Sequence, residues 1–329
     1  MFEHPRVGFA CKIQSSPGVA DTKLNQKATT ITWLRNQTKE AAYTRLYNIA
    51  QNNLQALYGQ LVYVSKLPEN QRMFRISSDI FPAYTHLEYT WVYYDPVMQS
   101  LIERELARCG ELARKHNIRL SFHPGQFCVL ASDNPGVVEN SVYEFDYHVD
   151  IIRMMGYARE FQDFKCNVHI GGKCGPQGIK DAMKLLSKEA QRVLTIENAE
   201  FSWGLDASLE LVDTCALVLD IHHHWIMSGE YIQPDDKRIE RIKQSWRGVR
   251  PVIHYSLSRE DVLVGHDPYT QPDLQALLKS GYTRAKLRAH SDYYWNTASN
   301  QWALGFNHDF DIMCEAKEKN LAVQSLLSR

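Results

Sequence analysis

The chain has 329 residues, of which 44% are hydrophobic and 23% charged, and its formal net charge is -1. This composition provides ample material for a globular core, and it excludes binding of nucleic acid through a strongly basic overall charge, although a local basic face stays open. No apolar run approaches the roughly 20 residues of a membrane span, and the first residues lack the basic-then-apolar pattern of a secretory signal. The seven cysteines form no CxxC pair, so we expect reduced thiols in a cytoplasmic protein with no membrane partner.

Short β-rich segments alternate with helical patterns along the whole chain. Eight segments predict strands, because apolar, β-branched and aromatic residues run through residues 6–12, 73–79, 118–124, 166–172, 192–198, 216–222, 251–257 and 310–316. Apolar residues at helical spacing predict helices between several of them, at 39–57, 98–116 and 140–161.

Strands that are separated by helices pair in parallel through right-handed crossovers, and eight such units close a (β/α)8 TIM barrel. An open doubly wound sheet is the alternative, but no Gly-rich phosphate loop follows the first strand. We therefore predict an α/β fold in which residues 1–329 form a single TIM-barrel domain, with long loops near 13–35 and 259–300. The active site is expected at the C-terminal ends of the strands.

A histidine or a carboxylate stands at the end of seven of the eight predicted strands. These residues are Asp79, His123, His169, Glu197, Asp220 with His223, His254 and Glu315. One such histidine alone is more often a hydrogen-bonded core residue than a ligand. A barrel, however, brings all of these side chains to one rim, where each unpaired buried charge would cost several kcal/mol. Divalent metals remove that cost, because imidazole and carboxylate groups ligate them together.

The number of candidate ligands suffices for more than one ion, since one site needs about three to six protein ligands. A carboxylate that bridges two ions is then natural, and Glu197 is the candidate. A cluster of divalent ions activates water, binds a phosphate group and stabilises the leaving oxygen. The residues alone therefore predict metal-dependent hydrolysis of a phosphate ester.

The segment DIHHHWI (220–226) places three consecutive histidines after Asp220. If this segment is extended, successive side chains alternate in direction, so the three rings do not all face one point. We expect His223 to be a ligand and His222 and His224 to have supporting roles.

Six short motifs stand at or after the predicted strand ends: SFHPGQF (121–127), VHIGG (168–172), IEN (196–198), LDIHH (219–223), AHSDY (289–293) and CEAK (314–317). GFAC (8–11) and FRISSD (74–79) precede them. In order and spacing, these motifs resemble the UV damage endonuclease family, from about residue 6 to residue 319. Each motif is short, and it is their common order that makes the resemblance specific.

The resemblance implies a TIM barrel related to endonuclease IV, with two or three divalent ions, expected to be Mn²⁺. It implies an enzyme that nicks duplex DNA immediately 5′ to UV photoproducts. The ligands would form three groups: His123 and His169 with Glu197; Glu197 with Asp220, His254 and Glu315; and His223 with His290, beside Asp292. Asp79 would lie at or beside a further metal-proximal position. Glu197, Glu315 and Asp220 would thus be catalytic.

The same resemblance places Gln126 and Phe127 in a loop that enters the duplex where the damaged dinucleotide is extruded. Phe9 would also contact DNA, and Lys317 is available as a cation near the phosphate. At Phe127 and Phe9 at least some family members have tyrosine, so a hydroxyl contact is missing here. Val252 stands where at least one branch of the family has a modified lysine near the metals, and we expect no lysine carbamate in this chain.

Alternative functions are a sugar isomerase or epimerase on a similar barrel, an abasic-site endonuclease, and a damage-binding protein whose metals are structural. Sugar isomerases of this type need one or two metals and a closed pocket. This chain offers more ligands than two sites require and a long basic and aromatic insertion, which favours a DNA substrate. We expect double-stranded DNA carrying UV photoproducts as the partner of a monomeric enzyme.

Overall fold

Eight parallel strands form a closed barrel in the computed structural model, which describes residues 4–328. Around the barrel the order is β1-β10-β9-β8-β7-β6-β5-β4, and β4 pairs again with β1. The predicted TIM barrel is therefore confirmed. The barrel strands are β1 Val7–Ala10, β4 Met73–Arg75, β5 Arg119–Phe122, β6 Lys165–His169, β7 Leu194–Glu197, β8 Ala216–Asp220, β9 Val252–Tyr255 and β10 Asp311–Cys314. A separate two-stranded sheet consists of β2 Gln14–Ser16 and β3 Val19–Ala20.

Helices cover the outside of the barrel and occupy its loops. They are α1 Ile31–Arg35, α2 Lys39–Ser65, α3 Thr90–Tyr93, α4 Pro96–Lys115, α5 Pro135–Met154, α6 Gly175–Met183, α7 Lys188–Val193, α8 Leu205–Leu209, α9 Ile221–Ser228, α10 Lys237–Ser245, α11 Leu274–Lys279, α12 Arg284–Leu287, α13 Thr297–Gly305 and α14 Lys319–Leu327. Short 3-10 turns lie at Glu69–Gln71, Ser78–Ile80 and Phe306–His308. None of the helices within residues 4–328 has the length and apolar character needed to cross a bilayer.

The strands are short and almost entirely buried because the helices cover one face and the barrel interior covers the other. In β8 all five residues are buried. The three long predicted helices are present, although their ends differ. Helix α5 starts at Pro135 because Asn134 caps it, and it ends before Gly156, whose φ of 84° turns the chain out of the helix.

The prediction of an extended segment at 216–222 is wrong for its last two residues. Strand β8 ends at Asp220, and α9 begins at the next residue. The Asp220 carboxylate accepts hydrogen bonds from the backbone N–H groups of His222 and His223, at 2.8 and 2.7 Å. This N-cap starts a helix where the apolar run alone indicated strand, so the three histidines point in directions set by a helix.

The N-terminal end of the barrel is closed by a buried ionic cluster. Asp311 accepts hydrogen bonds from the Arg6 backbone N–H at 2.9 Å, from Arg250 Nε at 2.8 Å and from Arg119 Nη1 at 2.6 Å. Asp311 begins β10 and Arg119 begins β5. The opposite end, where the strands finish, is left for the long loops.

The two predicted long loops are ordered parts of that end. Residues 13–35 contain the β2–β3 sheet and α1, and the backbone N–H of Ile13 donates to Asn25 Oδ1 at 2.9 Å. Residues 259–300 contain α11 and α12, and Leu263, Leu274 and Leu287 pack against Trp225 of α9 in a small second core. All seven cysteines are free thiols.

Candidate metal centre

Glu197, the last residue of β7, lies at the centre of four imidazole rings. Its Oε2 is 3.1 Å from His254 Nδ1, 3.2 Å from His123 Nε2 and 3.6 Å from His169 Nε2, and its Oε1 is 3.5 Å from His223 Nδ1. The carboxylate is only 1% exposed. The barrel therefore brings histidines from four other strands or strand ends to the one buried carboxylate of β7.

Strand register explains why these side chains meet. His169 pairs with Glu197 across β6 and β7, and Asp220 pairs with His254 across β8 and β9. Because paired residues of parallel strands lie side by side, their inward side chains stand at the same height in the barrel. His123 follows β5 directly and joins them at the rim.

Glu315, which follows β10, connects this group with the rest of the rim. Its Oε1 is 3.3 Å from His254 Nδ1, and its Oε2 is 4.0 Å from His290 Nδ1. Arg75 at the end of β4 makes a close ion pair with Glu315. His290 Nε2 is also 3.3 Å from the Ser256 hydroxyl, so His290 belongs to the edge of the cluster.

The donor atoms fit divalent metal ions. Two sets of side chains each bring ligand atoms to within 4.8 Å of one another: His123, His169 and Glu197, and Glu197, Asp220 and His254. Among the described residues, Glu197 Oε1, Asp220 Oδ2 and His254 Nδ1 are buried and make no hydrogen bond of good geometry, although His254 Nδ1 lies 3.1 Å from Glu197 Oε2. Buried polar atoms are rarely left without partners, and mixed nitrogen and oxygen donors are what zinc and manganese sites use.

The charges of the cluster perturb one another strongly. Burial raises the pKa of Asp220 to about 7, against the effect of His223. Burial also acts to raise the pKa of Glu197, but His254 and His169 outweigh it and hold that pKa well below its usual value. For His223, burial acts to lower the pKa, yet Asp220 and Glu197 raise it to about 9. Such a cluster of buried acids attracts cations, whether protons or metals.

Two asparagines that were not among the predicted site residues position the acidic ligands. Asn167 Nδ2 donates to Glu197 Oε2, and its own Oδ1 accepts from the Thr195 hydroxyl at 2.7 Å. Asn198 Oδ1 accepts the backbone N–H of Asp220 at 2.9 Å, and its Nδ2 donates to the Asp220 carbonyl at 3.0 Å. Asn167 precedes His169 by two residues, so strand alternation puts both on the inner face.

A buried lysine also contacts the cluster, from the side of the N-terminal ends of the strands. Lys165 begins β6, four residues before His169, and its Nζ lies 2.9 Å from His254 Nε2. Burial lowers the pKa of this lysine to about 7. The same alternation would have identified Lys165, but the predicted strand began at residue 166 and so left it out. Position 252 is a buried valine in β9, as the sequence shows.

The predicted DNA-contacting residues divide into exposed and buried ones. Gln126 is exposed and Phe127 is 84% exposed, on the loop after His123. Phe127, His123 and Asp79 line one cavity of about 1030 Å³. Asp79 is exposed on its 3-10 turn and belongs to neither of the two metal-capable sets.

The prediction that Phe9 contacts DNA is wrong. Phe9 is 1% exposed, and its ring packs edge-on against Phe74 with the centroids 5.4 Å apart. All four residues of β1 are buried, because both faces of this strand are covered, so Phe9 has no surface for a base.

Lys317 and Asp292 form an ion pair at the rim, with Lys317 Nζ 3.2 Å from Asp292 Oδ1. Both side chains are largely exposed, so the catalytic role of Lys317 stays a prediction. The two other histidines of α9 have local partners: His224 Nε2 lies 2.9 Å from Glu230 Oε2, and the His222 ring stacks on Trp225 with the centroids 5.7 Å apart. The supporting roles of His222 and His224 stay a prediction.

Comparison with known proteins adds the family to this geometry. The model of the UV-endonuclease UvdE family matches residues 5–329. The chain belongs to the UvdE family. It is 26% identical over 321 residues to the UV DNA damage endonuclease of Bacillus cereus strain G9842, covering 92% of this chain and 88% of that protein. Membership of this family makes the protein a DNA repair endonuclease.

Solved structures give the same fold. The crystal structure of SacUVDE has a TM-score of 0.72 and 23% sequence identity, covering 99% of this chain and 97% of that one. Endonuclease IV from Thermus thermophilus has a TM-score of 0.56 and 13% identity, with 98% and 97% of the chains covered. In both cases the similarity shows that the chains share the barrel fold.

Proposed function

We propose that this UvdE family member hydrolyses the phosphodiester immediately 5′ to UV photoproducts in duplex DNA, with two or three divalent ions, Mn²⁺ in our expectation. The observation that carries the proposal is the position of Glu197, which belongs to both metal-capable sets. A buried carboxylate shared by two sets of ligands is suited to bridge two ions, and paired ions are the usual means of phosphodiester hydrolysis.

We assign the residues the roles that the resemblance implied. His123 and His169 would hold one ion with Glu197, and Asp220, His254 and Glu315 would hold a second ion with it. His223 and His290 would serve a third. When bound, the ions would polarise the phosphate, activate water and stabilise the leaving oxygen.

The residues around the centre hold these ligands in place. Asn167 and Asn198 fix Glu197 and Asp220 through hydrogen bonds, and Arg75 orients Glu315 by an ion pair. These hydrogen bonds and this ion pair exist before substrate binds, so the ligand side chains need to move less to reach the transition state.

Lesion recognition is proposed to use the loop at Gln126 and Phe127. A photoproduct stacks and pairs poorly, so extruding it costs less than extruding a normal pair, and selectivity can arise from this difference. An amide and an exposed ring on the rim can then occupy the gap and contact the orphaned bases. The cavity of about 1030 Å³ that Phe127, His123 and Asp79 line has room for an extruded dinucleotide.

The test is nicking of supercoiled plasmid. Purified protein with Mn²⁺ should convert an irradiated plasmid to the relaxed form and leave the unirradiated plasmid largely intact, and EDTA should abolish the reaction. Sequencing of the products should place the nick immediately 5′ to the lesion. Equal and negligible cutting of both plasmids with each of several metals would reject the proposal. A duplex with one abasic site and a panel of ketoses, run in parallel, test the alternative substrates.

A further inference from the structure

A second exposed aromatic ring stands at the rim, on the loop after β7. Phe201 is 51% exposed. The loop is nonetheless firmly held, since the Ala199 N–H donates to the Trp203 carbonyl at 2.9 Å and Trp203 Nε1 donates to the Gly172 carbonyl at 2.7 Å. The Trp203 ring also packs so closely on Gly175 that a Cβ there would lie 2.5 Å from it. A fixed loop therefore presents an apolar ring to solvent.

The neighbours of Phe201 link it to the metal centre. Glu200 Oε2 is 4.0 Å from His223 Nε2, and Glu200 Oε1 is 2.6 Å from Arg288 Nη1. The Arg288 guanidinium lies over the Phe201 ring, 5.1 Å from its centroid. One carboxylate thus lies near a candidate ligand histidine on one side and pairs on the other with an arginine that stacks on Phe201.

The adjoining surface is basic. Lys286 and Arg288 are exposed at the end of α12, four and two residues before His290. Arg284, at the start of the same helix, donates from Nε to the Ile226 carbonyl at 2.8 Å and so attaches α12 to the α9 histidine helix. Positive charge and an aromatic face therefore stand together beside the candidate ligands.

Phe127 and Phe201 lie on either side of a row of imidazoles. The His123 and His169 rings are 4.7 Å apart, and the His169 and His223 rings are 5.5 Å apart. Phe127 follows His123 in its loop, and Phe201 adjoins the other end of the row through Glu200. A strand of DNA that crosses this row would meet a ring at each side.

We propose that Phe201 and Arg288 form a second DNA contact, in which the ring stacks on a base or sugar and the guanidinium binds a backbone phosphate. This inference rests on the proposed function and adds a binding surface to it. Aromatic stacking on a base contributes about 1–3 kcal/mol. Because the loop is already fixed, little of that energy is lost in ordering it.

The experiment measures affinity for a short duplex that carries one thymine photodimer, by fluorescence anisotropy with Mn²⁺ present and a phosphorothioate at the linkage 5′ to the dimer to slow cleavage. Phe201→Ala should raise the Kd about 5–150-fold, and Phe201→Tyr should stay close to the unsubstituted protein, because it keeps the ring. Arg288→Ala should weaken binding and reduce the slope of log Kd against log salt by about one. Leu185→Ala is the matched control: Leu185 is 63% exposed between α6 and α7, at the other end of the barrel, and its removal should leave Kd and nicking unchanged.

Thermal denaturation identifies any variant that is not folded, and Phe201→Leu provides a second, milder removal of the ring. If the unsubstituted protein binds and nicks irradiated DNA while Phe201→Ala and Phe201→Leu both bind within twofold of it, the second contact is refuted and the proposed function stands. If the unsubstituted protein neither binds nor nicks irradiated DNA, the proposed function fails and the second contact fails with it.

Discussion

Glu197→Gln is the substitution that most directly tests the shared carboxylate. Gln has nearly the same shape, so the barrel should accommodate it. Asn167 donates to Oε2, which favours placing the new amide oxygen there. The NH₂ group then takes the position of Oε1, 3.5 Å from His223 Nδ1. That position loses both its negative charge and its lone pairs.

We expect Glu197→Gln to have a large effect on activity because Glu197 belongs to both metal-capable sets. The set of His123, His169 and Glu197 would keep only its two histidines, fewer than the about three protein ligands that metal sites use. The second proposed ion would lose one of its four ligands. Loss of residues that only orient a ligand already weakens metal binding by about 10–100-fold. We therefore expect kcat to fall by at least about 10³-fold, equivalent to about 4 kcal/mol, and bound metal to fall by at least one ion per chain.

The assay pairs plasmid nicking with elemental analysis of the dialysed protein. Glu240→Gln on α10 is the control, since its side chain is 61% exposed and lies outside the cluster; both readouts should be unchanged. Thermal denaturation in EDTA checks that Glu197→Gln is folded. Nicking within tenfold of the unsubstituted rate, with an unchanged metal content, would show that Glu197 does not bridge ions.

Three further predictions concern stability. Asp311→Asn removes the charge that faces buried Arg119 and should lower the free energy of unfolding in urea by about 3–5 kcal/mol; a loss below about 1 kcal/mol contradicts this. Gly110→Ala should lower the free energy of unfolding by about 1–3 kcal/mol, and with it the melting temperature, because the new Cβ would lie 1.8 Å from the Met155 carbonyl oxygen. Helix propensity alone predicts the opposite, a gain of about 1 kcal/mol. Burial lowers the pKa of His148 to about 4 in the folded protein, whereas in the unfolded chain this histidine keeps its ordinary pKa of about 6.5. Between these two values the unfolded chain binds a proton that the folded chain does not, so the free energy of unfolding falls as the pH drops from about 6.5 towards 4. Between pH 7 and pH 5, in EDTA, the unsubstituted protein should lose about 2 kcal/mol more than His148→Gln; equal losses exclude this histidine as the cause.

The barrel was predictable from the sequence because short local patterns of apolar residues repeat along the chain. Eight apolar runs follow one another along the chain, helical patterns separate several of them, and eight parallel strands close a barrel. The ends of elements were less predictable, because single hydrogen bonds decide them. At Asp220 one carboxylate caps a helix, and the strand stops two residues before the apolar pattern does.

The orientation of side chains was the weaker part of the sequence prediction. Phe9 lies in a strand that is buried on both faces, so no alternation of polar and apolar residues indicates which way its ring points. Lys165 and Asn167 do follow the inward phase of His169, but lysine and asparagine on an apolar strand are usually at its exposed edge. Only the position of Glu197 and His254 inside the barrel shows what these two side chains contact.

Barrel closure determines which residues meet at the rim, whereas strand register determines which of their atoms can bind the same ion. Any closed barrel brings the C-terminal strand ends to one rim, so the sequence order alone predicts that His123, His169, Glu197 and Asp220 approach one another. Which atoms share a centre depends on register, and a shift of one residue would turn each inward side chain outward. The opposite pKa shifts of Asp220 and Glu197 follow from this sharing, since one acid is surrounded by imidazoles and the other is buried beside two further carboxylates. Each of these residues, taken singly, is an ordinary buried acid; the pairing across β6–β7 and β8–β9 is what makes the group a candidate metal centre.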